Sequence, residues 1–188
     1  MIELFIKTFI AFIFPIPIWL NLLHLAILKK PKLKLVAYFS IGIYWLLLFW
    51  LVFFYFTPVF KYTFDKSFWH YLFAIITMIV ALTLDILLIK QLGLKRLLTV
   101  TEVKQDNEEH ELVVQGIYKY ARHPRYISIP LWVLGIGLVT GYVIVLWLSL
   151  YMFIGLWIAT FLEEAELIQR FGQGYINYQK RVPKFFIF

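Results

Sequence analysis

The chain has 188 residues with a net charge of +7, no cysteine and a mean hydropathy of +0.81; 62% of its residues are hydrophobic and 20% are aromatic. That apolar share is far above the share in soluble domains and predicts a membrane protein. The lack of cysteine excludes disulfides, thiolate metal sites and a cysteine nucleophile. A nucleic-acid partner is excluded as well, because it would need a basic patch on a folded soluble domain, for which the chain has no room.

The apolar stretches predict an all-α integral membrane protein of about five transmembrane helices. A hydrocarbon core of ~30 Å needs about 20 helical residues, so the uncharged tract 126–162 is nearly twice too long for one crossing. Thr140 and Gly141 form the polar, flexible break in this tract, which is therefore predicted to fold as a helical hairpin. The predicted spans are residues 8–28, 35–57, 67–89, 126–139 and 142–162.

Basic residues indicate the orientation of these spans. Of the eighteen lysines and arginines, four lie in residues 29–34, seven in residues 90–125 and four in the tail that begins at residue 163. Because cytosolic loops carry the excess of these residues, the three segments are expected in the cytosol and the N-terminus outside. The first apolar segment shows no signal-peptidase site and is expected to be retained.

The polar groups divide the chain into two parts. Residues 1–89 are predicted to form a three-helix membrane platform with few polar side chains. Residues 90–188 comprise a long cytosolic loop, the hairpin and a C-terminal tail that opens with Glu163. Since the hairpin helices are antiparallel neighbours, Tyr126 and Leu162 should emerge on the same side, about one helix diameter of ~10 Å apart. The hairpin therefore brings the loop and the tail together at the cytosolic rim.

Two polar clusters at this rim can carry chemistry. In the R-H-P-R-Y motif the basic residues and the tyrosine are typical of membrane interfaces, but the proline fixes the backbone direction of His123. Glu163 and Glu164 end an apolar tract on the side where positive charge is preferred, so they have no anchoring role. Apart from a solvated helix end, the natural partner of these carboxylates is a cation, either Arg122 and Arg125 or a positively charged ligand.

Other polar residues and motifs give weaker signals. Asp85 lies inside the third span and is a minor site candidate, while His24 is more simply a helix-packing residue. The four histidines show no metal-ligand spacing, so no metal site is predicted. The sequence contains no P-loop, no G-x-S-x-G, no H-E-x-x-H and no glycine-rich dinucleotide fingerprint.

Two long segments, HELVVQGIYKYARHPRYIS (110–128) and EEAELIQRFGQGYINYQKRVPKF (163–185), resemble the isoprenylcysteine carboxyl methyltransferase family and its phospholipid methyltransferase relatives. The shared pattern is G-x-Y, R-H-P-x-Y, an apolar hairpin, E-E-x-x-L, F-G, two spaced tyrosines and V-P. The resemblance implies a helical membrane methyltransferase that binds S-adenosylmethionine at the cytosolic face and acts on a lipophilic acceptor. Residues 90–188 would then be the catalytic, cofactor-binding half, with the site between the 100–126 loop and the tail.

The resemblance also implies which residues form the site. Glu163 would hold the ammonium group or the ribose of the cofactor, and Tyr118 and Tyr126 would face its sulfonium or its adenine. Arg122 and Glu164 are the candidate catalytic residues. The implied cofactor contacts are His110, Glu111, Leu112 and Val113 of H-E-L-V, together with Tyr118, His123, Pro124, Tyr126 and Glu163.

Two positions depart from the family pattern. Ser128 stands where the family commonly has glycine, and Ala159 stands where members that methylate a prenylcysteine carboxylate tend to carry an arginine. A carboxylate acceptor therefore loses its obvious partner, unless Arg122, Arg125 or Arg181 substitutes. A phospholipid amine, another lipid nucleophile and a small thiol stay open as acceptors.

Two other functions stay open at this point. One is an NADPH-dependent sterol or steroid reductase of related helical architecture, and the other is a non-catalytic membrane scaffold or small transporter. A transporter usually has polar residues near mid-membrane, and in this sequence only Asp85 and His24 come close. Methyl transfer itself is an in-line displacement that demands little acid or base chemistry, so positioning and exclusion of water should dominate.

Overall fold

The structure, a computed structural model, describes residues 2–29, 34–55, 57–97 and 112–186. These residues are predominantly helical, and within these ranges the only β-type pairing is one isolated bridge. The predicted all-α fold is confirmed. The α-helices in the described ranges are α1 (Ile2–Ile13), α2 (Pro15–Lys29), α3 (Lys34–Tyr55), α4 (Phe68–Leu97), α5 (Arg125–Thr140), α6 (Val143–Phe171) and α7 (Gln173–Gln179).

Each of the predicted spans coincides with apolar helix. In the part of the chain that the structure describes, three helical stretches are long and apolar enough to cross a membrane: Ile2–Leu25, Phe68–Gly93 and Val143–Phe171. Gly42–Leu51 within α3 and Arg125–Thr140 are shorter apolar helices. The outward faces of α4 and α6 carry exposed phenylalanine, isoleucine, leucine and tryptophan side chains, as lipid contact requires. The chain is thus an integral membrane protein, and the count of five crossings stays a prediction.

The predicted hairpin is present. α5 ends at Thr140, and Gly141 takes the left-handed conformation, with φ of 79°, that lets the chain reverse before α6 begins. α6 runs past residue 162 to Phe171 and is ended by Gly172, which also has a positive φ of 56°. The last span thus continues as one helix beyond the predicted end at residue 162, as far as this glycine.

The helix directions give the bundle two distinct ends. At one, which we call the turn end, the Phe64 N–H donates to the Gly141 carbonyl at 3.0 Å. At the other, the site end, the chain enters α5 and α6 carries Glu163. Between the two ends, the Trp132 indole of α5 donates to the Asp85 carboxylate of α4 at 2.8 Å. This bond gives the intramembrane acid a role in helix packing.

α2 and α6 pack along a seam of close contacts. Pro17 lies against Gly155, and the Asn21 side chain donates to the Gly155 carbonyl at 3.0 Å. One turn further along α2, His24 Nδ1 lies 2.9 Å from Glu166 Oε2. The three α2 residues are spaced four and three apart and so share one face. Since their partners advance in the same direction, the two helices run parallel and α2 delivers His24 to the site end.

Gly155→Ala should lower the thermal unfolding midpoint of the protein in detergent. An added Cβ would overlap the Cβ of Pro17, which belongs to a rigid ring, so α2 and α6 would have to separate; overpacking of this kind costs ~1–3 kcal/mol. Gly42→Ala is the matched control, since nothing lies within 4 Å of a Cβ placed there. Tryptophan fluorescence on heating measures both midpoints, and equal midpoints for the two variants would contradict the described packing.

Candidate active site

Three glutamates near the end of α6 define the site: Glu163, Glu164 and Glu166. Successive residues of an α-helix are turned by about 100°, so Glu163 lies between the other two around the helix, about 100° from Glu164 and about 60° from Glu166. Glu164 contacts the loop before α5 and the C-terminal tail, and Glu166 contacts His24 on α2. Glu163 therefore lies between the contacts that Glu164 makes with the loop and the tail and the contact of Glu166 with His24.

Arg122 joins α6 to the tail. Its Nε and Nη2 lie 2.9 and 2.8 Å from Glu164 Oε1, and its Nη1 donates to the carbonyls of Gln179 and Val182 at 2.9 and 2.8 Å. Both charged side chains are nearly buried, with exposed fractions of 11% and 10%. A buried guanidinium is stable only where its charge is matched and its donors are used, as they are here. The pair therefore fixes the position of the tail.

Backbone hydrogen bonds reinforce the same junction. The Arg122 N–H donates to the Pro183 carbonyl at 3.0 Å, and the His123 N–H donates to the Lys184 carbonyl at 3.1 Å. The Lys184 ammonium lies 3.5 Å from Glu164 Oε2, so Glu164 interacts with a cation on each side. The loop before α5 and the C-terminal tail are thus paired along their backbones at the end of α6.

His123 bridges two of the carboxylates. Its Nδ1 lies 3.1 Å from Glu163 Oε2 and its Nε2 lies 3.0 Å from Glu164 Oε1, while its ring stacks on Tyr126 with centroids 5.6 Å apart. Burial of the ring disfavours the charged form, but the two carboxylates, Glu163 foremost, outweigh it and raise the pKa of His123. The protonated ring donates from Nε2 to Glu164 and holds its positive charge beside the Glu163 carboxylate.

One carboxylate oxygen of Glu163 lacks a hydrogen-bond donor among the described residues. Its carboxylate receives a hydrogen bond from the Tyr126 side chain. Its Oε2 is buried and accepts no hydrogen bond from the residues that the structure describes, because the contact with His123 is an ion pair without hydrogen-bond alignment. A buried acceptor left without a donor costs ~1–3 kcal/mol. This oxygen therefore suits a ligand that carries a hydrogen-bond donor or a positive charge.

Tyrosines close the site towards α7. Tyr175 and Tyr178 have ring centroids 5.8 Å apart and pack with Tyr118 and Leu112. The Tyr178 hydroxyl donates to the Tyr118 carbonyl at 2.6 Å. Burial raises the pKa of Tyr118 and of Tyr175, and raises that of Tyr178 to about 12. The three phenols are therefore neutral at physiological pH and offer ring faces and hydroxyl groups.

Most of the site residues expected from the sequence meet at the site end. Leu112 belongs to the tyrosine cluster, and Val113 beside it is half-buried. His110 and Glu111 lie outside the described residues. The expected residues that the structure brings together are Tyr118, Arg122, His123, Pro124, Tyr126, Glu163 and Glu164. Their assignment to cofactor binding or to catalysis stays a prediction.

Sequence reasoning missed other residues of this cluster. Gln179 donates to Glu164 Oε2 at 3.2 Å, and Lys184 and the α7 tyrosines also border the carboxylates. The tyrosines belong to the recognised motif, which was the available signal for them. His24 was interpreted as a helix-packing residue, and its partner Glu166 is 142 residues away. A histidine inside an apolar span was the available signal for this pair.

The two positions that depart from the family pattern are both buried. Ala159 is fully buried in the hydrophobic core, one turn before Glu163 on the same helix, so no cation extends from this position. Ser128 is fully buried too, and its hydroxyl donates to the Arg125 carbonyl at 3.1 Å. Arg122, one of the three candidate substitute cations, is already paired with Glu164.

Comparisons with known proteins place this arrangement in a family. A family model described as phospholipid methyltransferase matches residues 69–174, more than half of the chain. Protein-S-isoprenylcysteine O-methyltransferase of Schizosaccharomyces pombe is 42% identical over 80 residues, which cover 41% of this chain and 33% of the relative. The proteins of the same name from Xenopus laevis and Mus musculus are 31% and 33% identical over 86 and 84 residues, covering 42% of this chain and 28% of each relative.

The chain spans about a third of the length of the curated relatives it matches. No solved structure gave a significant match. The family match runs from α4 through the hairpin to the start of α7, and includes the motif around His123 and the glutamates of α6. The resemblance inferred from the sequence motifs is confirmed. The chain belongs to the phospholipid methyltransferase family and is similar to the isoprenylcysteine methyltransferases.

Proposed function

We propose that the protein is a membrane methyltransferase that uses S-adenosylmethionine to methylate a lipophilic acceptor. Membership of the phospholipid methyltransferase family and similarity to proteins named O-methyltransferases support this reaction class. The observation that carries the proposal is the Glu163 carboxylate beside Tyr126, whose Oε2 is buried and accepts no hydrogen bond from the described residues. The ammonium group or a ribose hydroxyl of the cofactor would supply the missing donor.

The proposed orientation places the site end in the cytosol and the N-terminus outside. The excess of lysine and arginine in the segments at this end supports it. Residues 90–188 are proposed as the catalytic, cofactor-binding half and residues 1–89 as the membrane platform. The polar cofactor would enter from the cytosol, and the lipophilic acceptor from the bilayer between helices.

The proposed cofactor contacts divide by chemistry. Glu163 would accept from the amino group or the ribose, and the Tyr118 and Tyr126 rings would face the adenine or the positive charge. Leu112 and Val113 would add apolar contact at the edge of the tyrosine cluster. His123 and Pro124 would hold Tyr126 and Glu163 in place, and His110 and Glu111 stay proposed contacts. When bound, S-adenosylmethionine supplies an electrophilic methyl group on a sulfonium.

Arg122 and Glu164 are proposed to act by positioning. The Arg122 guanidinium donates hydrogen bonds to Glu164 and to two tail carbonyls, so neither Arg122 nor Glu164 is directed at a ligand. Their pairing holds the loop and the tail against α6 and thereby excludes water from Glu163. Positioning and exclusion of water are the main demands of an in-line methyl transfer.

The same substitution at neighbouring positions should separate these two roles. Glu163→Gln should weaken binding of S-adenosylhomocysteine ~10–100-fold, because it removes a charge-assisted hydrogen bond worth ~1.5–3 kcal/mol. Glu164→Gln should instead lower stability by ~3–5 kcal/mol, because it leaves Arg122 buried without its carboxylate. Isothermal titration and thermal melting in detergent measure the two effects.

The same measurements on the wild-type protein test whether it is a methyltransferase or a reductase. It should bind S-adenosylhomocysteine and not NADPH, and it should transfer label from methyl-labelled cofactor to a species in a total lipid extract. Binding of NADPH alone, or equal cofactor affinity in Glu163→Gln and the wild type, would contradict the proposed function.

The charge on His123 predicts a pH dependence of stability. Its pKa in the folded protein lies above the ordinary value of 6.5, so the protonated ring contributes stability that is complete below pH 6.5 and is lost as pH rises through the folded pKa. The thermal midpoint of the wild type should fall over this range, and His123→Gln should remove that part of the fall. His70→Gln, at the turn end, is the control and should keep it; an unchanged pH slope in His123→Gln would refute the assignment.

A further inference from the structure

An apolar cavity lies at the turn end of the bundle, far from the proposed cofactor site. Its volume is about 290 Å³, and its walls come from the first span, α3, the 3₁₀ helix Thr57–Lys61 and α6. The lining side chains that the structure describes are all hydrocarbon and include Ile10, Phe14, Leu48, Val59, Phe60 and Ile144. Glu163 is ~28 Å from Ile144 along the axis of α6, so the cavity is separate from the site at the other end.

The hairpin turn holds one wall of this cavity in place. The Val143 N–H donates to the Tyr62 carbonyl at 3.1 Å, and the Phe60 ring packs edge-on against Tyr142 with centroids 6.2 Å apart. Phe60 is only 6% exposed. The 3₁₀ helix is therefore fixed against the start of α6, and the cavity is part of the packed bundle.

Exposed aromatic residues indicate the level of the cavity in the membrane. Tyr55, Tyr62 and Trp69 lie at the turn end and are 67%, 68% and 62% exposed. Tyrosine and tryptophan collect where the lipid headgroups meet the hydrocarbon. Phe60 and Ile144 lie at the same end of the bundle, so they place one end of the cavity at this level.

The cavity extends from the headgroup level into the hydrocarbon region. Its lining residue Phe14 stacks on Tyr151 of α6 with centroids 4.6 Å apart, and Tyr151 lies ~10 Å further along α6 than Ile144. A cavity of ~150 Å³ lined by leucine, isoleucine and phenylalanine holds a benzene ring. A cavity of about 290 Å³ with the same kind of wall therefore has room for a length of acyl chain.

Cations lie at the headgroup end of the cavity. The Lys7 ammonium is 5.3 Å from the centroid of the Phe60 ring and is paired with Glu3 at 2.8 Å. Lys61 follows Phe60 in the chain and is exposed. Lysines at this level bury their hydrocarbon stems and direct their charge to the lipid phosphates. A phospholipid would therefore meet apolar walls with its chain and positive charge with its phosphate, whereas a neutral hydrocarbon would use only the walls.

We propose that this cavity binds one acyl chain of a phospholipid from the leaflet at the turn end, with the lipid phosphate near Lys7. The lipid is a bound component that joins the first span, α3 and the hairpin. It is not the methyl acceptor, because the cavity and Glu163 lie at opposite ends of α6. This inference does not depend on the proposed methyltransferase function.

Phosphatidylcholine is the probe, because its amine is already fully methylated and cannot act as an acceptor. Native mass spectrometry of the whole chain in detergent should show one phosphatidylcholine retained per wild-type protein, and added phosphatidylcholine should raise the thermal midpoint. Val59→Phe would fill the cavity with a ring. Since each buried methylene contributes about fourfold to affinity, this variant should weaken retention at least ~10-fold. Val80→Phe, on the exposed face of α4, is the matched control and should retain the lipid as the wild type does.

A second pair of variants and a photolabel keep the test decisive if Val59→Phe does not fold. Ile144→Phe should also weaken retention, with Ile79→Phe on the exposed face of α4 as its control. Circular dichroism verifies the helical fold of each variant. In the wild type, phosphatidylcholine with a diazirine in its acyl chain should label residues 10–14, 48–51 or 59–60, and unlabelled phosphatidylcholine should compete. Equal retention in cavity and control variants, label spread evenly over the lipid-facing helices, or retention of detergent alone would overturn the proposal.

Discussion

The buried meeting of the α6 glutamates with Arg122 and His123 is the interaction on which the rest of the site depends. Charges removed from water are stable only when they are paired, and loss of one partner leaves the other uncompensated. The hairpin brings two helices side by side, but these pairs join three segments that are distant in sequence: the loop before α5, the end of α6 and the C-terminal tail. This junction holds the loop and the C-terminal tail against α6.

Because successive residues of a helix point in different directions, three glutamates that are close in sequence make different contacts. Glu164 contacts the loop and the tail and serves the fold, since its oxygens interact with Arg122, His123, Gln179 and Lys184. Glu163 retains a buried oxygen without a hydrogen bond from the described residues. Glu166 faces α2 and contacts His24. One stretch of helix thus carries the structural carboxylate of Glu164, the Glu163 carboxylate that is proposed to bind the cofactor, and the Glu166 carboxylate that pairs with His24.

The sequence predicts those features that depend on local length and composition. The excessive length of the tract 126–162 and the glycine at 141 predicted the hairpin, and the hairpin predicted that Tyr126 and Glu163 meet. The choice of Arg122 over Arg125 as the partner of Glu164 depends on two carbonyls of the tail, which no local pattern reveals. The place of His24 beside the site depends on how closely α2 packs on α6, which is a tertiary property. Motif comparison covers only the second half of the chain and therefore left this residue out.

Photolabelling tests the central claim most directly, namely that the junction of loop, α6 and tail is where the cofactor binds. The protein in detergent would be irradiated with an azido-adenosine analogue of S-adenosylhomocysteine, with the unmodified compound as competitor, and the labelled peptides mapped by mass spectrometry. The account predicts competed label in both residues 112–126 and residues 163–186. Label confined to the turn end, around residues 57–66 and 140–143, would contradict it.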